Sequence, residues 1–268
     1  MSEIVPAYVE SKTAHLNPIL DADSFIYRAG FSGVERDEDG NPYPTPLAHS
    51  LANLRAIMDN ILERFPHRDW EKVFLTPSGG FRYKVATLKS YKGSRKSPKP
   101  QHFDSMREYL VKKYGAIVVD EDLPPDERRE ADDWTGMTQW AHPDKSTCIV
   151  GVDKDLLQIP GWHYDPVKDQ FQMRTLNDGN MMFWWQMIVG DSTDSIPGLK
   201  GYGKTKANGI LESCSRKPVR VMRTVADLYK KEFSGKWKSA LDEMAQLLFI
   251  HREEGKDWKH YFGEVLDL

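Results

Sequence analysis

The sequence is poor in cysteine: Cys148 and Cys214 are the only two among 268 residues. That excludes a disulfide framework and a thiolate metal site, and it fits a reducing compartment. No window approaches the ~20 apolar residues needed to cross a bilayer. The first stretch, MSEIVPAYVESKTAHLNP, lacks the apolar core of an export signal. A soluble cytoplasmic protein with no membrane partner is therefore expected. The formal net charge is −3, so no global excess of one sign announces a polyanionic partner. Long repeats and low-complexity tails are missing as well. One local absence is informative: from Pro77 through Phe103 there is not a single acidic residue.

What is present is an ordinary globular composition, 40% hydrophobic and 29% charged. Four short β-rich runs stand out at Ile19-Leu20, Val73 to Leu75, Ala116 to Val119 and Thr147 to Val152. Helical spacing marks residues 46–64, with Leu47, Leu51, Leu54, Met58 and Ile61 on one stripe, and then 103–113 and 131–141. Strands alternating with helices predict an α/β domain with a mostly parallel sheet covered on both faces. Phe171 to Thr175 reads as one arm of a hairpin, with Asn177-Asp178-Gly179 as its turn. Beyond Gly190 the strand signals stop, and 206–213, 219–232 and 236–250 read as helices. The expected organisation is an α/β core over 1–190 followed by a helical region over 191–268.

Acidic residues follow the strands. Asp21 ends the first, Asp153 and Asp155 follow another in GVDKD, Glu130, Asp132 and Asp133 crowd EADDW, and Asp191 and Asp194 sit in GDSTD. Taken singly, each is an ordinary cap or turn. Together, at the strand C-termini of a parallel sheet, they would face one cleft. Two carboxylates ~5 Å apart repel by roughly 3 kcal/mol at an effective dielectric near 20, so the cluster calls for divalent cations. With oxygen donors and neither His nor Cys among them, Mg²⁺ or Mn²⁺ suits better than zinc. Two such ions suit a phosphoryl displacement.

The acid-free segment carries Arg82, Lys84, Lys89, Lys92, Arg95, Lys96 and Lys99, interleaved with Phe81, Tyr83 and Tyr91. Cations that track phosphates and rings that stack on bases suit single-stranded nucleic acid. GLKGYGKT, Gly198 to Thr205, has the spacing of a nucleotide phosphate loop. Yet the preceding MMFWWQMIV reads as a buried helix rather than a strand, and no strand followed by Asp remains downstream. The alternative is a helix-hairpin-helix. There Gly201 and Gly203 permit a tight turn, and exposed amides with Lys200, Lys204 and Lys206 grip a DNA backbone without reading bases.

DADSFIYR, FRYKVATLKSYKGSRK, EADDW, GVDKDLLQ and GDSTDSIPGLKGYGKTKA, in that order over about residues 16–213, resemble successive motifs of the 5′ nuclease superfamily. That group comprises flap endonucleases, bacteriophage 5′-3′ exonucleases and the 5′ nuclease domain of bacterial DNA polymerase I. The polymerase-free length is most similar to the phage or stand-alone bacterial members, which places the protein in a host cytoplasm if it is phage-encoded. The resemblance implies a PIN-like core with a helical arch over about 82–103 and a C-terminal helix-hairpin-helix. It implies a monomer that cleaves DNA bearing a 5′ flap, nick or free 5′ end. By position, Asp21, Glu130 and Asp132 would hold a first metal with Asp133 nearby. Asp153 and Asp155 would hold a second and act in catalysis, with Asp191 and Asp194 helping directly or through waters. Lys92 and Arg95 would act on the scissile phosphate. Arg28, Arg82, Lys84, Tyr91 and Lys96 would contact DNA. The hairpin would bind duplex and hold a K⁺ ion on its carbonyls.

Two departures stand out. Many members carry a further Asp after the second strand; here FLTPSGGFR has Thr76 and Ser78 and no acid. Ala22 replaces a common Gly. The missing acid keeps open a non-catalytic DNA binder, and an RNA–DNA hybrid remains an alternative substrate.

Overall fold

The computed structural model describes residues 15–34, 36–40, 43–65, 69–95, 98–144 and 146–267. Five strands run parallel: β1 (Asn17–Asp21), β2 (Lys72–Leu75), β3 (Ile117–Val118), β4 (Thr147–Val150) and β5 (Gly161–Asp165). They stand in the order β3-β2-β1-β4-β5, and β6 (Gln170–Arg174) closes the far edge antiparallel to β5. The central strands read as continuous apolar runs because both faces are covered; Val73, Phe74 and Leu75 are all buried.

Helices α1 (Asp23–Phe31), α2 (Leu47–Leu62) and α4 (Phe103–Tyr114) share one apolar cluster with the sheet, built on Leu20, Phe25, Leu54, Met58, Met106, Leu110 and Val150. On the opposite face α5 (Ala131–Trp140) packs Ala131 and Trp134 against Ile19, Phe74 and Val119. A second, larger cluster unites α6 (Leu176–Val189), α7 (Lys204–Ser213), α8 (Pro218–Phe233), α9 (Trp237–Leu248) and α10 (Trp258–Leu266) around Phe183, Trp184, Val225, Leu241 and Trp258.

Three expectations change. Asn177, Asp178 and Gly179 are not a hairpin turn but the first turn of α6, where Thr175 caps the helix by accepting from the Asp178 amide at 3.1 Å. The partner of β6 precedes it: β5, whose GWHYD alternates Trp162 and Tyr164 with Gly161, His163 and Asp165 but is only five residues long. The apolar side chains of α6 belong to the helical cluster, so the packing divides near 175 rather than 190. The basic segment, expected as a helical arch, has one short helix at its foot, α3 (Phe81–Val85); its described residues beyond Val85 form turns and coil up to α4.

Among the described residues, no helix is long and apolar enough to cross a membrane.

Candidate active site

β1, β2 and β4 end at the same edge of the sheet. Asp21 closes β1 and lies in register with Phe74 of β2. The chain beyond β4 runs through Gly151 into Asp153 and Asp155, and the Asp155 amide donates to Asp153 Oδ1 at 2.9 Å. The N-terminus of α5 reaches this edge because the Ala131 amide donates to Thr76 Oγ1 at 3.0 Å. From the other side, a two-stranded ribbon, β7 (Gly190–Asp191) with β8 (Ile196–Pro197), carries Asp191 and Asp194.

The acids feel one another. Burial pushes the Asp21 carboxyl well above its ordinary range, and Asp23, Asp153 and Glu130 push it further. Asp132 rises for the same reasons, with Asp133, Glu130 and Asp21 as neighbours, although Arg82 opposes the shift. Burial and then Asp153 lift Asp155 to about 6. Burial raises Asp153 too, with Asp194 and Asp191 adding to it. Asp21, Glu130, Asp132, Asp153, Asp155, Asp191 and Asp194 are thus linked as electrostatic neighbours.

Basic side chains are interposed between them. Lys92 Nζ donates to Glu130 Oε1 at 2.6 Å. Its own amide donates to the Asp194 carbonyl at 2.7 Å, which docks the basic segment on the ribbon. The buried Tyr91 hydroxyl lies 2.9 Å from Glu130 Oε2 and 3.0 Å from Asp194 Oδ2. Arg95 pairs with Asp194. Lys154 pairs with Asp191 and, at 2.9 Å, with Asp155. Among the described residues, no three His, Cys, Asp or Glu side chains stand together as a ready-made metal cage. The donor set nonetheless suits hard divalent cations: all oxygen, mutually repelling, with Asp21, Asp132, Asp153 and Asp155 held above the ordinary carboxyl range.

Two expected roles are corrected. Arg82 does not face DNA. It is 1% exposed, pairs bidentately with Asp133 at 2.7 and 2.9 Å, and donates to the Leu247 and Phe249 carbonyls. Asp133, fully buried, is correspondingly not free to hold a metal. It also accepts from the His251 and Glu130 amides, and although burial alone would raise its carboxyl, Arg82 holds it below the usual range. Phosphate contact and metal ligation would each strand a buried charge.

The remaining expected contacts scatter. Lys84 is exposed and pairs with Asp126 at 2.9 Å. Arg28 lines a 690 Å³ cavity with Phe25, Arg64, Tyr164 and Asp169, away from the cleft acids. Lys96 lies outside the described residues. Lys200, Gly201 and Gly203 are exposed on the loop before α7 and Lys204 is exposed at its first position, as a phosphate-gripping hairpin requires.

Sequence reasoning missed Asp23. Its Oδ2 accepts from the Thr76 amide at 2.7 Å and its Oδ1 from Arg107 at 2.7 Å, so a carboxylate stands beside the residue that occupies the missing acid's place. Its signal was the second Asp of DADS. Lys154, between the two acids of VDKD, was legible in the same way.

The fold that carries this sheet edge has known counterparts. The structure superposes on a bacteriophage T5 flap endonuclease complexed with DNA and metal ions, with a TM-score of 0.56 and 10% identity, over 86% of this chain and 88% of that one. It also superposes on the zinc-bound T5 5′-exonuclease, with a TM-score of 0.57 and 12% identity, again over 86% and 88%. This is the 5′ nuclease fold. No family model matches the chain. In sequence it is 27% identical over 214 residues to DNA polymerase I of Caldicellulosiruptor bescii, a match covering 74% of this chain. The chain spans about a quarter of that polymerase's length, 24%.

Proposed function

We propose that the protein is a divalent-metal-dependent 5′ nuclease that hydrolyses phosphodiester bonds of DNA bearing a 5′ end, nick or flap. The observation that carries this is the meeting of Asp21, Glu130, Asp132, Asp153, Asp155, Asp191 and Asp194 at one sheet edge, with Lys92 and Arg95 among them. Asp21, Glu130 and Asp132 would hold one Mg²⁺ or Mn²⁺. Asp153 and Asp155 would hold a second, with Asp191 and Asp194 beside them. Two such ions supply an acidified water and neutralise the charge that builds on the oxygens of an in-line displacement.

The chain's own residues do the rest. Lys92 and Arg95 now neutralise Glu130 and Asp194. With divalent ions held by those carboxylates, Lys92 and Arg95 would be available to stabilise the charge that develops on the scissile phosphate. Tyr91 holds the backbone of that pair in place, its ring packed edge-on against Tyr83 with centroids 5.2 Å apart. Lys200, Lys204 and the open turn at Gly201 and Gly203 would seat the duplex through its phosphates.

Flap cleavage by Asp153→Ala in Mg²⁺ tests the reading. A loss of at least ~100-fold with DNA affinity retained is expected. Near wild-type cleavage would remove the basis of the scheme, and binding with no cleavage by either protein in Mg²⁺ or Mn²⁺ would identify a non-catalytic binder. Competition by RNA–DNA hybrid fixes the substrate.

A further inference from the structure

Several polar groups of the hairpin before α7 are already paired. The Leu199 carbonyl accepts from the Tyr202 amide at 3.1 Å, and the Gly203 carbonyl accepts from the Ala207 amide at 3.0 Å. Gly201, at φ +79°, turns its carbonyl out of the loop. That carbonyl accepts from the Lys206 ammonium at 2.7 Å, and the same ammonium lies 5.5 Å from the centre of the Tyr202 ring. On the loop's other side the Lys200 amide donates to both oxygens of Glu232 on α8, at 2.9 and 3.1 Å.

A K⁺ ion on the Gly201 carbonyl would have to compete with the Lys206 ammonium. Gly201 presents the outward carbonyl such an ion would need, and a covalently tethered cation already sits on it. The Leu199 and Gly203 carbonyls each already accept one backbone amide. We propose that the hairpin carries its own cation: the Lys206 ammonium takes the place of a bound monovalent ion, so duplex binding does not depend on K⁺. An ammonium has three donors. One goes to Gly201, and the others remain on the exposed side of the loop, where they can reach a phosphate of the duplex. Lys206 then ties hairpin backbone to DNA backbone as a hydrated ion would, without the entropy cost of capturing one.

This inference rests on the hairpin binding duplex, and its test keeps the two apart. Backbone amide shifts of residues 201–204 are followed without DNA while KCl replaces tetramethylammonium chloride, whose cation is too large to be coordinated. Wild type is expected to be silent and Lys206→Met to shift. Duplex affinity is then measured in both salts at equal ionic strength. Wild type is expected to bind equally in the two. Lys206→Met is expected to lose about tenfold in tetramethylammonium and to regain most of it in K⁺. A K⁺-induced shift in wild type overturns the proposal. So does a silent Lys206→Met, or an affinity loss equal in both salts, which would make Lys206 a plain phosphate contact. If wild type binds no duplex while the amide results hold, the nuclease reading fails and the cation assignment stands.

Discussion

Arg82 and Asp133 show how an isolated motif misleads at the residue scale. Both lie in stretches rich in functional side chains, and both are instead a buried ion pair whose remaining atoms are satisfied by the Leu247 and Phe249 carbonyls and the His251 amide. Replacing Arg82 with Met leaves the Asp133 charge unpaired inside the protein. Urea unfolding should show a loss of about 3–5 kcal/mol, whereas a phosphate-binding arginine would change DNA affinity and leave stability alone. His163 gives a second residue-scale expectation. It is buried on β5, bonded to the Ile159 carbonyl at 2.8 Å, and burial lowers its pKa to about 4. Its folded value lies below the ordinary one, so the unfolded chain binds the extra proton first. Its contribution is intact above about pH 6.5 and is lost as pH falls from there toward 4, by about 3 kcal/mol. The stability difference between wild type and His163→Asn should shrink by that amount over this window; a difference that stays flat would mean His163 is protonated in the fold.

At the scale of elements, α2, α4, α5 and the central strands were legible because their apolar periodicity is strong and their ends carry breakers. β5 and α10 were not. GWHYD is easily missed because it is only five residues long, although Trp162 and Tyr164 alternate onto the face of the sheet that carries α1, α2 and α4; Gly161, at φ +120°, starts it with Gln139 packed where a Cβ would be. α6 was legible as a buried helix, though its first turn was taken for a hairpin, since Asn-Asp-Gly is equally good capping chemistry. Gly179 within that turn has a packing reason: a Cβ there would lie 2.1 Å from the Gln158 carbonyl oxygen. Gly179→Ala should push α6 off the short helix Asp155–Gln158 and cost about 1–3 kcal/mol. Because Gln186 on α6 donates to Asp155 Oδ1 at 2.7 Å, the same change should weaken divalent binding. Calorimetric Mn²⁺ titration checks the second effect, which a purely local packing defect would not produce.

For the whole molecule, the cleft stores repulsion that its own lysines and arginines only partly offset. Millimolar Mg²⁺ should therefore raise the melting temperature by a few degrees relative to EDTA, about 2.7 kcal/mol of linkage when the ion stands at 100 times its dissociation constant. A melting curve unmoved by Mg²⁺ and Mn²⁺ would mean the carboxylates do not gather ions. The order of the acidic motifs made this edge readable in the sequence. The pairings within it were not, because which cation sits on which carboxylate depends on turns between residues 86 and 95 that have no periodicity.

Glu243 on α9 accepts from the amides of Thr87 and Leu88, both at 2.7 Å, and the chain after α9 closes over Arg82 and Asp133. The last third of the polypeptide thus buttresses the foot of the loop that would sit on the substrate. A fragment ending near residue 190 would keep every acidic side chain proposed for catalysis except Asp191 and Asp194, yet it would strand a guanidinium and a carboxylate with nothing over them. Such a truncate should come out of expression as aggregate, and the two halves should restore a soluble particle only when produced together.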